Sequence, residues 1–253
     1  MPAPNRRLDL LSILGLLLAL CSLLVGAVLK GAGISSLLST AAFTIVVGGT
    51  FAAICVQTPW PVMKHALSIL GWILRPPEDR QSQLLEQFVD WSVLAHKQGL
   101  LSLENTTDSI SDPFLRKGMM LVVDGHPPEF IRTIMEVETD LRDQADMRAA
   151  KVYEGMGIYA PTMGIIGAVL GLIAVMKNMG DPAKLGHGVA AAFTATIYGI
   201  SLANLFFLPI SNKLKQIIHV ETMQRTMIIE GLVAMAQGDG HRKVESRLRS
   251  FIG

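Results

Sequence analysis

Charge is what this sequence has least of. Asp, Glu, Lys and Arg make up 17% of its 253 residues, where about a quarter is usual for a soluble domain. The signs balance at 22 basic against 21 acidic residues, a net charge of +1. With no positive excess to neutralise phosphates, a nucleic-acid partner is excluded. There are only two cysteines, Cys21 and Cys55, both in apolar runs without CxxC spacing. Neither a disulfide framework nor a zinc site follows from them, and they read as small apolar fillers. The chain lacks a glycine-rich phosphate loop, an HExxH and a GxSxG element. No catalytic constellation is therefore visible, and the chain does not read as an enzyme. Half of the residues are apolar, which is too much to leave disordered.

Four long runs hold no charge at all: Leu10–Leu29, Ile34–Val56, Ile158–Met176 and Val189–Ile210. A helix rises about 1.5 Å per residue and a hydrocarbon core is about 30 Å thick, so roughly 20 residues cross it. All four runs qualify as spans. The first follows Arg6 and Arg7, as in a signal peptide, but it is too long for one and a second run follows almost at once. The fold expected is an all-α integral membrane protein, with four transmembrane helices and a helical cytoplasmic domain. Residues 1–57 hold the first two spans, 58–157 a cytoplasmic loop domain, 158–210 the third and fourth spans, and 211–253 a cytoplasmic tail. Nineteen of the 22 lysines and arginines fall on one side of this arrangement, leaving Lys30, Lys177 and Lys184 on the other. Basic loops stay in the cytoplasm, so both termini and the large loop are expected there.

The loop is helical by pattern. Trp60 and Trp72 flank an apolar stretch, Pro61–Ile73, that reads as an interfacial helix along the membrane. Leu84, Leu85, Phe88 and Val89 repeat at helical spacing. Asp112 and Pro113 read as a cap and first turn for a helix over Phe114–Val123, which Gly125 stops. Pro127 and Pro128 then open a long charged helix toward Tyr153 and the third span. Pairs such as Glu138 and Arg142 mark a solvated face.

Inside the spans, small residues line up. Gly164, Gly167, Gly171 and Ala174 form one stripe; Ala191, Ala195, Gly199 and Ala203 form another; Thr40, Thr44, Gly48 and Ala52 a third. Such stripes let helices approach closely, either within one bundle or against a further helix. The runs contain no carboxylate to carry a proton. Thr194, Thr196, Ser201 and Asn204 supply hydroxyls and an amide, and Pro161 removes a backbone donor near the foot of the third span, which suits a hinge or a polar gap. An ion path through these spans needs a partner that brings the titrating group.

The chain resembles the A subunit of the bacterial flagellar stator, the MotA/PomA family. The resemblance rests on Leu121–His126, Ala160–Gly164, Asn178–Pro182, and Thr196–Gly199 leading to Phe206–Ile210. It implies a flagellar motor subunit in the bacterial inner membrane. It also implies a homopentamer around a B-subunit dimer whose intramembrane Asp binds the ion, a push on the rotor switch protein, and no cofactor beyond the translocated ion. By the resemblance Pro161, Ala168 and Thr196 line the ion pathway, Pro209 closes the fourth span, and Lys97 and Glu104 face the rotor; His96 stands where a close relative has Arg. Ala168 offers no oxygen to sodium, a hard cation, which favours a proton, while Thr162 and Thr196 keep sodium as an alternative. Lys97 and Glu104 share one helix face if the helix runs through Gly99, and lie on separate elements if Gly99 ends it. The rival readings are an ion-driven energiser of the ExbB/TolQ type and a non-conducting membrane scaffold.

Overall fold

The computed structural model describes residues 8–31, 33, 37–177 and 182–252. Arg6, Arg7, Ile34 at the start of the second run, and Asn178–Asp181 of the quoted motifs lie outside the described residues. Among the described residues there is no strand, and four helices are long and apolar enough to cross a membrane.

The first run folds as α1, Leu10–Leu29. Asp9 starts it by accepting the amide N–H of Ser12 at 3.1 Å. The second span, α2, is Thr40–Gln57. Ser39 caps it, accepting from the Ala42 amide at 3.3 Å, so Leu37 and Leu38 of the apolar run precede the helix. Residues Thr44–Gly48 form a π-helical turn inside it. Next comes α3, Trp60–Ile69, continued by a 3-10 turn over Leu70–Ile73. The helices α4, Gln81–Gln98, and α5, Glu104–Ser109, flank a second 3-10 turn, Leu100–Leu103. In α6, Pro113–Val123, Asp112 caps the Phe114 amide at 3.0 Å. Gly125 ends this helix at φ +74°, the left-handed region that glycine adopts most easily. Then α7 runs from Pro128 to Lys177. The fourth span is α8, Pro182–Ser201, a π-helical stretch Leu202–Phe207, and the start of α9, Leu208–Ala236. The chain closes with α10, His241–Arg249.

The contacts divide the chain into two compact units. Met1–Pro76 with Asp146–Gln216 form the first, which holds the apolar runs; Pro77–Ala145 with Ile217–Gly253 form the second. In the first unit, Met63, Ala66, Ile69 and Ile73 of the α3 segment are buried. The Tyr153 hydroxyl donates to the Ala66 carbonyl at 2.8 Å, and His65 Nε2 lies 2.7 Å from Asp146 Oδ1. One side of this stretch is therefore packed on α7 through Ala66 and His65, while Trp60 and Leu67 remain 74% and 61% exposed. In the second unit, Phe88, Leu103, Phe114, Met119, Met135 and Leu232 belong to one closed core.

Candidate functional site

The third and fourth spans meet along a seam of small residues. A methyl group placed on Gly199 would sit 2.5 Å from the Ala160 carbonyl oxygen and 3.1 Å from the Gly164 Cα. One on Gly164 would sit 2.9 Å from the Ala195 carbonyl oxygen. Further along, Gly167 faces the Ala195 methyl and Gly171 faces Ala192. Backbone meets backbone here, so the stripes on these two spans pack against each other within the chain. Lipid gives no hydrophobic drive between helices, and close approach supplies the dispersion contacts instead. Thr40, Thr44, Gly48 and Ala52, by contrast, all face outward.

The seam positions the ion-path residues expected from the sequence. Pro161 lies between Ala160 and Gly164 in the packed turn, and Thr196 lies between Ala195 and Gly199 on the facing turn. Both are half-buried, as is Ala168 beside Gly167. Pro161 cannot donate to the Gly157 carbonyl, yet α7 stays helical from Pro128 to Lys177. The ladder thus loses a single bond, with no helical break at Pro161. A methyl on Gly157 would meet the Leu208 side chain at 2.6 Å, which brings the foot of the third span against the residue before Pro209. Pro209 itself is exposed.

The hydroxyls lean on their own helices. Thr162 Oγ1 donates to the Tyr159 carbonyl at 2.7 Å, and Thr194 Oγ1 to Ala190 at 2.9 Å. Thr196 Oγ1 reaches Ala192 at 3.5 Å, the outer limit of such a bond. The Asn204 amide donates to Ile200 at 2.9 Å. Each oxygen that donates its proton still presents lone pairs.

In the second unit, Gly99 decides the geometry of the other site. Its φ of +82° ends α4, so Lys97 and Glu104 stand on separate elements. Lys97 is in the last turn of α4 and Glu104 is the first residue of α5. The turn between them is pinned by the fully buried Leu103 and by Ser102 Oγ, which donates to the Gly99 carbonyl at 2.7 Å. Both charges are exposed. Each suits its helix end, a cation at the C-terminus and an anion at the N-terminus, so neither needs an ion-pair partner in the chain. His96 is exposed beside Lys97.

Polar ties that no motif announces hold both units. Lys213 donates to Asp9 and to Ser12, and joins the foot of α1 to α9. Hydrogen bonds from Lys213 and from the Ser12 amide hold the Asp9 carboxyl below its ordinary value. Burial pushes the Tyr153 hydroxyl up to about 12. In the second unit, Glu230 takes Arg132 at 2.6 Å and Arg247 at 2.7 Å. Burial raises the Glu230 carboxyl, and the two guanidinium groups outweigh it and hold it below its ordinary value. The two π turns are also silent in the sequence. The only signal for any of these was position: Asp9 and Lys213 sit at the ends of apolar runs.

Comparison with known proteins adds to this geometry. Residues 106–227 match the MotA/TolQ/ExbB proton channel family. The chain is 35% identical to motility protein A of Bacillus subtilis over 248 residues, 97% of this chain and 91% of that protein. It is 31% identical to the chemotaxis protein PomA of Vibrio alginolyticus over 245 residues, 97% of this chain and 96% of that one. Among solved structures, the flagellar MotAB stator complex from Bacillus subtilis superposes with a TM-score of 0.89 at 34% identity, covering 95% of each chain.

Proposed function

The chain belongs to the MotA/PomA stator proteins within the MotA/TolQ/ExbB proton channel family, and on that premise we propose how it works as a flagellar stator subunit. It is a multi-pass membrane protein of a motor and channel class, with a B-subunit partner as in the MotAB complex it resembles. In our reading several copies, five by the family resemblance, surround the single helices of a B-subunit dimer. Both termini face the cytoplasm, as the basic residues favour. The partner brings the intramembrane Asp.

One observation carries this reading. The match runs almost the full length of the chain, while the four apolar runs hold no Asp, Glu, Lys or Arg. The chain builds the wall of an ion path and leaves the titrating carboxylate to the partner. Pro161 and Thr196 flank the seam on adjacent turns. Pro161 leaves the Gly157 carbonyl short of its helical donor, and Thr196 keeps oxygen lone pairs free. Together they offer a transferring proton acceptors at the foot of the spans. Ala168 adds no oxygen for a hard cation, so the ion is a proton. Proton movement on the partner's Asp drives the ring past the dimer, and the exposed Lys97 and Glu104 meet charges of the rotor switch protein.

The test is ion flux. Pro161→Leu and Thr196→Ala are expected to co-purify with the B subunit and to lose acidification of the cytoplasm, in cells carrying a B partner trimmed to conduct constitutively. Parent-rate flux in both variants removes these residues from the path.

A further inference from the structure

Thr50 is the odd hydroxyl of the spans. It is 3% exposed, and its Oγ1 is buried with no hydrogen-bond partner among the described residues. By contrast, Thr44 donates to the Thr40 carbonyl and Thr194 to Ala190, both at 2.9 Å, and Thr162 donates to Tyr159 at 2.7 Å. A hydroxyl taken out of water and left unbonded costs free energy. One that is buried and unused by its own helix therefore points to a small polar ligand beside it. This burial is complete within one copy of the chain, so neighbouring copies neither create it nor remove it.

Its surroundings follow from register. Ala42, Val46, Thr50 and Ile54 are the buried positions of α2, one every four residues. Ala42 and Val46 pack with Ala195, Tyr198 and Leu202 of the fourth span. Ile54 reaches α7, where a methyl on Gly155 would sit 2.9 Å from its Cδ1. Thr50 lies between these contacts, one turn inward of Val46, which puts it beside the π-helical stretch that begins at Leu202. A π turn interrupts the regular ladder, and water or side chains insert where the ladder is irregular. Here the Leu208 amide donates to the Ala203 carbonyl, five residues back, and the Asn204 side chain serves the Ile200 carbonyl at 2.9 Å. Ala203 is fully buried, so irregular backbone and an unused hydroxyl share one closed layer. Pro161 lies elsewhere. Tyr159 and Met163 are the α7 residues that meet Gln57 and Gly49 of α2, and at 100° per residue Pro161 stands roughly 160° around the helix from both.

We propose that the Thr50 hydroxyl holds one internal water against the π stretch of the fourth span, and that this water sets the place of Thr196, less than two turns outward, in the ion path. The inference rests on the reading of Pro161 and Thr196 as walls of that path. Thr50 is then a positioning residue that touches neither the ion nor the partner. Its hydroxyl supplies one bond to the water, and the backbone around Ala203 supplies others, toward the roughly two to four that a buried water makes. Removing the water lets the π stretch settle differently and shifts the turn that carries Thr196.

The experiment compares Thr50→Val with Thr50→Ser in the full-length chain, together with a B subunit trimmed to conduct constitutively. Valine keeps the shape and removes the oxygen; serine keeps the oxygen. Thr50→Val is expected to insert and co-purify as the parent does, because no bond within the chain is lost. It is expected to acidify the cytoplasm about tenfold more slowly, the effect of one hydrogen bond on a rate. Thr50→Ser is expected to conduct near the parent rate. A cryo-microscopy map of the parent complex in nanodiscs is expected to show a water about 2.8 Å from Thr50 Oγ1, and the Thr50→Val map is expected to lack it. Parent-rate flux in Thr50→Val, with flux lost in Pro161→Leu and Thr196→Ala, overturns this inference alone. A serine variant as slow as the valine one overturns it too, as does a map in which the hydroxyl turns back onto the Val46 carbonyl with no water beside it. Parent-rate flux in both Pro161→Leu and Thr196→Ala overturns the reading beneath it, and this inference with it.

Discussion

The two units of this chain solve the packing problem in opposite ways. The first holds eleven basic and four acidic residues, net +7, and the second is net −6. The first unit joins helices backbone to backbone, through Gly164, Gly167, Gly171 and Gly199, and leaves large apolar residues such as Leu14, Ile165 and Phe193 outward. The second interlocks large side chains, among them Phe88, Phe114, Met135 and Leu232, and rims them with ion pairs. What separates them is the solvent each is built for. Lipid removes the gain from burying leucine, so shape alone decides the contact. Water restores that gain, and the second unit closes a core.

Adding a single carbon to each unit tests the contrast most severely. Gly199→Ala puts a methyl 2.5 Å from the carbonyl oxygen of Ala160, where only backbone movement makes room. The expected cost is about 3 kcal/mol, seen as loss of the protein from the membrane fraction and loss of swimming. Gly118→Ala in α6 meets the tip of the Leu232 side chain at 2.2 Å and the Met135 methyl at 2.9 Å. Those groups turn aside, and the expected cost is about 1–2 kcal/mol. Equal effects in urea unfolding of the purified complex would erase the distinction between the two kinds of packing.

Ion pairing comes second. Glu230→Gln leaves Arg132 and Arg247 without their shared carboxylate and is expected to cost about 2 kcal/mol. Its pH signature follows from the direction of the shift. Burial raises both Glu230 and Glu138, and the cations around them outweigh it, so both sit below the ordinary 4.5. The unfolded chain therefore takes up these protons at higher pH than the folded chain does. The stabilisation is fully present above the ordinary value and is lost as pH falls through it toward the folded values. Thermal melts below about pH 5 are expected to steepen in the parent and to flatten in Glu230→Gln. A parallel acid limb would mean that the pair does not couple to folding.

The smallest stability effect belongs to the charges facing solvent. Lys97→Glu with Glu104→Lys is expected to change stability by under about 1 kcal/mol, because both are exposed. Swimming is expected to fail while membrane insertion and B-subunit binding stay normal. Normal motility in the double variant would remove the rotor contact from these positions.

Much of this fold was legible because lipid-facing helices advertise themselves by length and composition. The bounds of α1 coincide with the uncharged run, and Asp112, Pro113 and Gly125 delimit α6 as their chemistry requires. The packing of α3 on α7 was not legible. Its partners Asp146 and Tyr153 lie some eighty residues away, and an apolar face looks the same whether lipid or α7 covers it. The π turns at Thr44–Gly48 and Leu202–Phe207 escaped because hydropathy has no period inside a run that is apolar all round. At the candidate sites the residue types were readable. What the sequence left open was whether Gly99 continues or ends α4, and its positive φ answers that.

Consider α1 once more. No residue of it is buried, and a polar tie holds its N-terminal foot, where Asp9 meets Lys213. Such a helix encodes length and oiliness but almost no shape. Its leucines are interchangeable letters, and the order in which they stand carries little information. The text that matters is the punctuation, an aspartate at the start and a lysine that reads it from two hundred residues away. Variation will therefore accumulate along Leu10–Leu29 faster than anywhere along the glycine seam, and divergence there is a poor measure of how far two such proteins differ in what they do.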